Sequence, residues 1–268
     1  MLVIDAQIHL WQGAQAPPHH WRSPYPVEDA LRDMTMAGID RAINCPAIWD
    51  PAANDYAVEA ARAHPDRFAT MGWFDLDRPA DPAFLEAFLA RPGMIGLRFV
   101  LAFTSPEALA PDGALEWIWA GANRLGRAVA VMVGPAQYEA VAGIAQRYPD
   151  LRLLLDHIGV GPFQKLPEIG DQLDAFMQLA RLPNIAVKAT GTPSMATDAF
   201  PFASVQPVLK RTFDAFGPRR MFWGTDFTRM RCSWEECVRQ FTEELDWLKG
   251  EDLEWVMGRG VSQWIGWP

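Results

Sequence analysis

Eight short apolar runs recur along the chain, each separated from the next by enough residues for one helix, and this alternation constrains the fold more than any other feature. They are LVI at 2–4, RAINCPAI at 41–48, FATMGWF at 68–74, MIGLRFV at 94–100, AVAVMV at 128–133, LRLLLDH at 151–157, NIAVKAT at 184–190 and MFWGTD at 221–226. The runs are nearly continuous in Val, Ile, Leu, Phe and Ala, the pattern of strands buried on both faces of a parallel sheet. Between them lie amphipathic segments such as VEDALRDMTMAG, with acidic residues at the start and Gly38 at the end, as a helix requires.

The connections are short, and neither a Gly/Ser-rich linker nor a shift in composition marks a boundary. One α/β domain over 1–268 is therefore expected. Eight strand–helix units close naturally into a (β/α)8 barrel, the TIM-barrel architecture. A doubly wound open sheet would give similar alternation, but no GxGxxG follows the first strand. Two connections are longer: WQGAQAPPHHWRSPYP after the first strand and GTPSMATDAFPFAS after the seventh. In a barrel both emerge on the catalytic face, where they are candidate lids.

Polar residues within or just beyond buried strands carry the functional signal, because leaving such groups unsatisfied costs on the order of 1–3 kcal/mol each. Asp5, Gln7 and His9 are spaced by two, so a regular strand turns all three towards the barrel axis. His157 and Asp226 each close a strand run, and Arg98 and Lys188 join them from the fourth and seventh. A single histidine is most often a satisfied core residue; several titratable groups at one mouth point to an active site. Asp156, beside His157, is expected to face the other way, where a structural role suits it as well as a catalytic one. His64 falls at a helix end, and the roles of His19 and His20, in a Pro-rich loop, stay open. Trp11, Trp49, Trp73, Phe99 and Phe227 fall near strand ends and could wall a pocket, although packing accounts for most of the 12 Trp.

A net charge of -9 without a dense Lys/Arg cluster argues against nucleic acid as a partner and leaves a small molecule. No apolar stretch approaches the roughly 18 residues of a membrane span. The first acidic residue arrives at Asp5, unlike a secretory signal, so a cytoplasmic location is expected. Cys45, Cys232 and Cys237 are too few for a disulfide framework and match no Cys-x2-Cys metal spacing, which leaves them as free thiols.

The opening IDAQIHLW resembles the IDxHxHxW start of the amidohydrolase-related hydrolases. The likeness continues through DRAINCPA, NDYAVEAARAHPDRF, GMIGLRFVL, LLLDHIGVGP, NIAVKATG and RRMFWGTDF, over nearly the whole chain. It is strongest to the branch that contains the fuconolactonase-type sugar-acid lactonases and the 2-pyrone-4,6-dicarboxylate lactonases; aromatic-acid decarboxylases and hydratases are also related. The resemblance implies a distorted barrel. His9 matches the second His of the strand-one pair, His157 the strand-six His, Asp226 the strand-eight Asp, and Lys188 and Arg98 the KxSG and GxR elements. Two positions depart: Gln7 stands where the first His would be, and Met132 lies in the strand-five run where metal-binding relatives often present another His. An amide is a poor transition-metal ligand and a thioether suits only soft ions. The expectation is thus chemistry with no required cofactor; the alternative is a weakly bound divalent ion such as zinc on His9, His157 and Asp226.

The implied function is hydrolysis of a small lactone. Asp226 would take a proton from water, His157 with His9 would stabilise the carbonyl oxygen, and Asp226 would return the proton to the leaving oxygen. Arg98, Lys188, Arg229 and Arg231 are candidates to hold a substrate carboxylate, and Gln7, Trp11 and Trp49 to line its site. A small anionic or polyhydroxylated metabolite is the expected partner, and a homo-oligomer is admitted. The alternatives are a metal-dependent decarboxylase or hydratase of an aromatic or unsaturated acid, and a barrel that binds a metabolite without turning it over.

Overall fold

The structure is a computed structural model describing residues 1–161, 164–165 and 169–267. Its strands are β1 (Ile4–Ile8), β2 (Arg41–Asn44), β3 (Phe68–Trp73), β4 (Met94–Val100), β5 (Ala128–Met132), β6 (Leu153–Leu155), β7 (Ile185–Ala189) and β8 (Met221–Trp223). Each is hydrogen-bonded in parallel to the next, in chain order. A helix follows every strand, from Val27–Ala37 after β1 to Trp234–Thr242 after β8. The result is the expected (β/α)8 barrel, nearly closed and distorted.

Local sequence sets the helix limits. Gly38 takes the left-handed conformation that ends the first helix (φ 71°), its N–H turned back to Met34 and Thr35. Asp81 caps the helix at Pro82–Leu89 through the Phe84 N–H, and Ser233 with Glu236 forms a capping box on Trp234–Thr242. Gly96 in β4 lies so close to the Ala128 carbonyl of β5 that a β-carbon there would collide with it.

Ile4, Ile43, Met71, Ala130, Leu154 and Phe222 fill the lumen. Val261 and Ile265, from the helix Gly260–Ile265, join them and close the N-terminal end. Larger side chains on the opposite strand faces pack against the helices. Apolar burial thus plugs one end and leaves the C-terminal ends of the strands for polar groups. Among the described residues no helix is long and apolar enough to cross a membrane.

The seam between β8 and β1 depends on Asp5. The register slips between Asp5 and Ile8, so Asp5 does not share the face of Gln7 and His9, contrary to the spacing-of-two expectation. Its Oδ1 accepts from the Gln7 and Thr225 N–H groups at 3.0 and 2.9 Å. Its Oδ2 accepts from Thr225 Oγ1 at 2.5 Å and Trp234 Nε1 at 2.8 Å. The Asp226 N–H donates to the Gln7 carbonyl at 2.8 Å and completes the join. Burial pushes the Asp5 carboxyl up to about 6 against the opposing pull of these hydrogen bonds.

Four strands differ from the apolar runs by more than one residue at an end, among them β2, which stops at Asn44, well before Ile48. β1 begins at Ile4 and runs through the polar residues, while β6 and β8 stop at Leu155 and Trp223, short of His157 and Asp226. There the backbone turns left-handed, with φ 56° at His157, 57° at Ile158 and 56° at Asp226. Non-glycine residues seldom adopt that conformation, and it clusters where a fold must aim side chains at a site.

Candidate active site

At the C-terminal mouth the structure brings together Gln7, His9, Arg98, Asp156, His157, Lys188, Asp226 and Arg229, all buried. Asp156 is the main surprise. Because β6 ends at Leu155 and the chain then turns left-handed, Asp156 and His157 both reach the centre rather than opposite faces. Asp156 Oδ2 accepts from Arg98 Nε at 2.9 Å, and its Oδ1 lies 2.6 Å from Lys188 Nζ. Burial opposes ionisation, but the Lys188 and Arg98 charges prevail and hold the Asp156 carboxyl down at about 2.

Lys188 also donates to Gln7 Oε1 at 2.7 Å. An ammonium has no lone pair to offer, so this contact fixes the amide: its oxygen faces Lys188 and its N–H2 faces His157 Nε2, 3.5 Å away. His157 Nε2 therefore meets a donor and keeps its lone pair, while Nδ1 carries the proton towards Thr190 Oγ1 at 2.7 Å. Burial, more than any charge, drives the His157 imidazole down to about 4, consistent with a neutral ring. A neutral ring oriented this way presents Nε2 as an acceptor.

His9 Nδ1 donates to the Cys45 carbonyl at 2.5 Å, which turns Nε2 towards Asp226 Oδ1 at 3.1 Å. Arg229 Nη1 donates to Asp226 Oδ2 at 2.8 Å, and His157 Nε2 lies 3.8 Å from that oxygen. Although buried, the Asp226 carboxyl is held well below the usual carboxylate range by the charges of His9 and Arg229, and it is ionised at neutral pH. The His9 imidazole is thus the neighbour of its Oδ1, as Arg229 is of its Oδ2.

Trp49 lies over this group, its ring 5.9 Å from His9 and 4.4 Å from His20, and Trp11 meets it edge-on at 5.1 Å. His20 Nδ1 lies 2.8 Å from Thr228 Oγ1, and burial followed by the charge of His9 lowers its imidazole to about 3. Burial likewise lowers His19. Both long connections line a cavity of about 790 Å³, through His19 and Trp21 on one side and Phe200 and Phe202 on the other, with Arg229 and Arg231 between them. Arg231 stacks over Trp21 at 3.9 Å on the rim. His64 caps the helix Ala53–Ala63, as expected. Phe99 and Phe227 pack against Trp119 and Trp234 instead of walling the pocket.

Sequence reasoning underweighted Asp156 and missed Thr190 and Thr228. Thr190 closes the NIAVKAT run, and that position was the available signal.

A divalent ion would have to draw on His9, His157 and Asp226. Among the described residues no group of three or more His, Cys, Asp or Glu side chains is arranged to hold a metal. The nearest further side chain, Gln7, turns its N–H2 inward and gives its oxygen to a lysine. A buried ammonium at that point also repels a cation. Gln7 therefore adds no fourth donor to those three side chains.

The amidohydrolase family profile matches residues 4–245. An L-fucono-1,5-lactonase from Burkholderia ambifaria is 25% identical over 233 residues, which span 84% of this chain and 79% of that protein. An amidohydrolase from Burkholderia multivorans, crystallised with zinc bound, superposes with a TM-score of 0.81 at 20% identity, with all of both chains covered. A probable 2-pyrone-4,6-dicarboxylic acid hydrolase from Acinetobacter baumannii, with citric acid bound, gives 0.80 at 15% identity, again over all of both chains. With the profile spanning most of its length and the barrel and mouth in place, this chain belongs to the amidohydrolase family of hydrolytic enzymes.

Proposed function

We propose that this enzyme opens a small lactone bearing a carboxylate or several hydroxyls, with Asp226 as general base and no required metal. The observation that carries the reading is the state of Asp226: buried, ionised, anchored by Arg229 through Oδ2, with the His9 imidazole beside Oδ1. A water on Oδ1 gives up a proton as its oxygen attacks the lactone carbonyl. The oxyanion that develops accepts from Gln7 Nε2, whose amide is polarised by the Lys188 ammonium behind it. As the ring C–O bond breaks, protonated Asp226 returns its proton to the leaving oxygen. His9 aligns the carboxylate, and His157 offers Nε2 as an acceptor beside it.

Cationic side chains at the mouth suit a substrate carboxylate: Arg98 and Lys188 stand beside Asp156, and Arg229 beside Asp226. Arg231, on the rim, adds a further guanidinium to the cavity wall, and Trp49 lies over His9. The named activity of the Burkholderia ambifaria relative, on a neutral polyhydroxylated lactone, supports lactone opening and the hydroxylated form of the substrate.

The test is acid release from L-fucono-1,5-lactone and from 2-pyrone-4,6-dicarboxylate by protein dialysed against EDTA. Turnover of at least one is expected, with the rate unchanged by chelation and reduced by roughly 10²–10⁴ in Asp226→Asn. Metal-dependent CO2 release from an aromatic acid, with neither lactone opened, would instead establish a decarboxylase.

A further inference from the structure

We propose that Cys232 and Cys237 form a redox-modifiable thiol pair on the wall of the cavity, closing to a reversible disulfide when a peroxide reaches Cys232. The two sulfurs are 3.5 Å apart. Cys232 is half-buried and lines the cavity beside Arg231 and Glu236, whereas Cys237 is buried in the first turns of Trp234–Thr242. The capping box explains the approach. Ser233 is the cap residue, so Cys232 and Cys237 occupy the positions before the cap and four residues after it, whose side chains pack together at many helix starts. Backbone geometry therefore holds the thiols in contact before any oxidation, and a bond of about 2.0 Å requires only a small further approach.

The environment distinguishes the two sulfurs. The hydrogen bond from Cys237 lowers the Cys232 thiol, so the accessible member ionises first; the same contact and burial raise Cys237. The Cys232 thiolate attacks one peroxide oxygen, the O–O bond breaks, and the departing hydroxide is protonated to water, leaving a sulfenic acid. Cys237 then attacks that sulfur, the S–O bond breaks, and a second water leaves. Two thiols are oxidised and one peroxide is reduced.

The pair bears on the site because the segment between Asp226 and Cys237 is tied together. Phe227 stacks on Trp234 at 4.4 Å, and Arg22 donates to the carbonyls of Phe227, Met230 and Cys232. A disulfide would stiffen the corner that carries Arg229 and Arg231. Cys45 is fully buried in the lumen and serves as an internal control.

The experiment treats the reduced full-length protein with hydrogen peroxide, alkylates it and maps the peptides by mass. Of the three thiols in the sequence, one should remain, at Cys45, with Cys232 joined to Cys237 and both recovered by dithiothreitol. In Cys237→Ser, Cys232 should stop at a sulfenic acid captured by dimedone. Three persisting thiols, a cross-link between molecules, a crossed pairing with Cys45, or no dimedone adduct in Cys237→Ser would each overturn the proposal. None of these readouts depends on the substrate.

Discussion

Replacing Asp156 with Asn removes one buried negative charge while keeping the side chain's shape, and the structure allows its cost to be approached in two ways. The carboxyl falls from 3.8 to about 2 on folding. Each tenfold change in an ionisation constant is worth about 1.4 kcal/mol, which makes this a contribution on the order of 2 kcal/mol at neutral pH. Because the folded value is the depressed one, that stability is present above the unfolded value and is lost as pH falls through the folded one. Substitution should cost more than protonation at neutral pH, because Arg98 and Lys188 both stay buried and charged with no carboxylate between them. Breaking a buried pair by removing one partner costs ~3–5 kcal/mol. Urea unfolding followed by far-UV circular dichroism should therefore give a loss in that range for Asp156→Asn. The double variant Asp156→Asn with Lys188→Met should recover part of it, because one stranded cation is gone. A loss under ~1 kcal/mol, or strictly additive losses in the double variant, would refute the view that Asp156 neutralises these cations.

Three further outcomes follow from the same geometry. The rate of lactone opening should hold as pH falls towards 5 and drop as His157 takes a proton near 4, since Asp226 stays ionised throughout that range; an inflection near pH 6–7 in kcat would contradict the state assigned to His157. Gln7→Glu can still pair with Lys188 but has no N–H to donate, so kcat should fall by roughly 10²–10³ with the fold intact, and a near-wild-type kcat would remove Gln7 as oxyanion donor. Asp5→Asn sets an amide donor against at least one of the N–H groups at the β8–β1 seam and should cost ~1–3 kcal/mol in the same urea assay; an unchanged midpoint would show that the seam does not depend on the carboxylate.

Much of the site was legible because buried strands rarely end in polar residues without a reason. His9, His157, Lys188 and Asp226 stood out on that ground, and the structure gathers them at one mouth. The reading failed where it assumed regular strands. Alternation put Asp5 with Gln7 and set Asp156 apart from His157; a register slip in the first case and a left-handed turn in the second reversed both. Such irregularities arise from packing between elements distant in the chain, and no local pattern records them.

Periodicity, punctuation and polar strand ends thus determined the barrel and most of its polar mouth from the sequence alone, since these follow from near-neighbour chemistry and burial. Tertiary structure alone decided the protonation and aim of each group. Lys188 turns the Gln7 amide across 181 residues of chain, and that contact sets the proton on His157. Arg98 and Lys188 meet at Asp156, which makes an apparently spare carboxylate the counter-charge of the site. A hydrogen bond or an ion pair acts only over a few ångströms, so its partner is known only once the chain has closed.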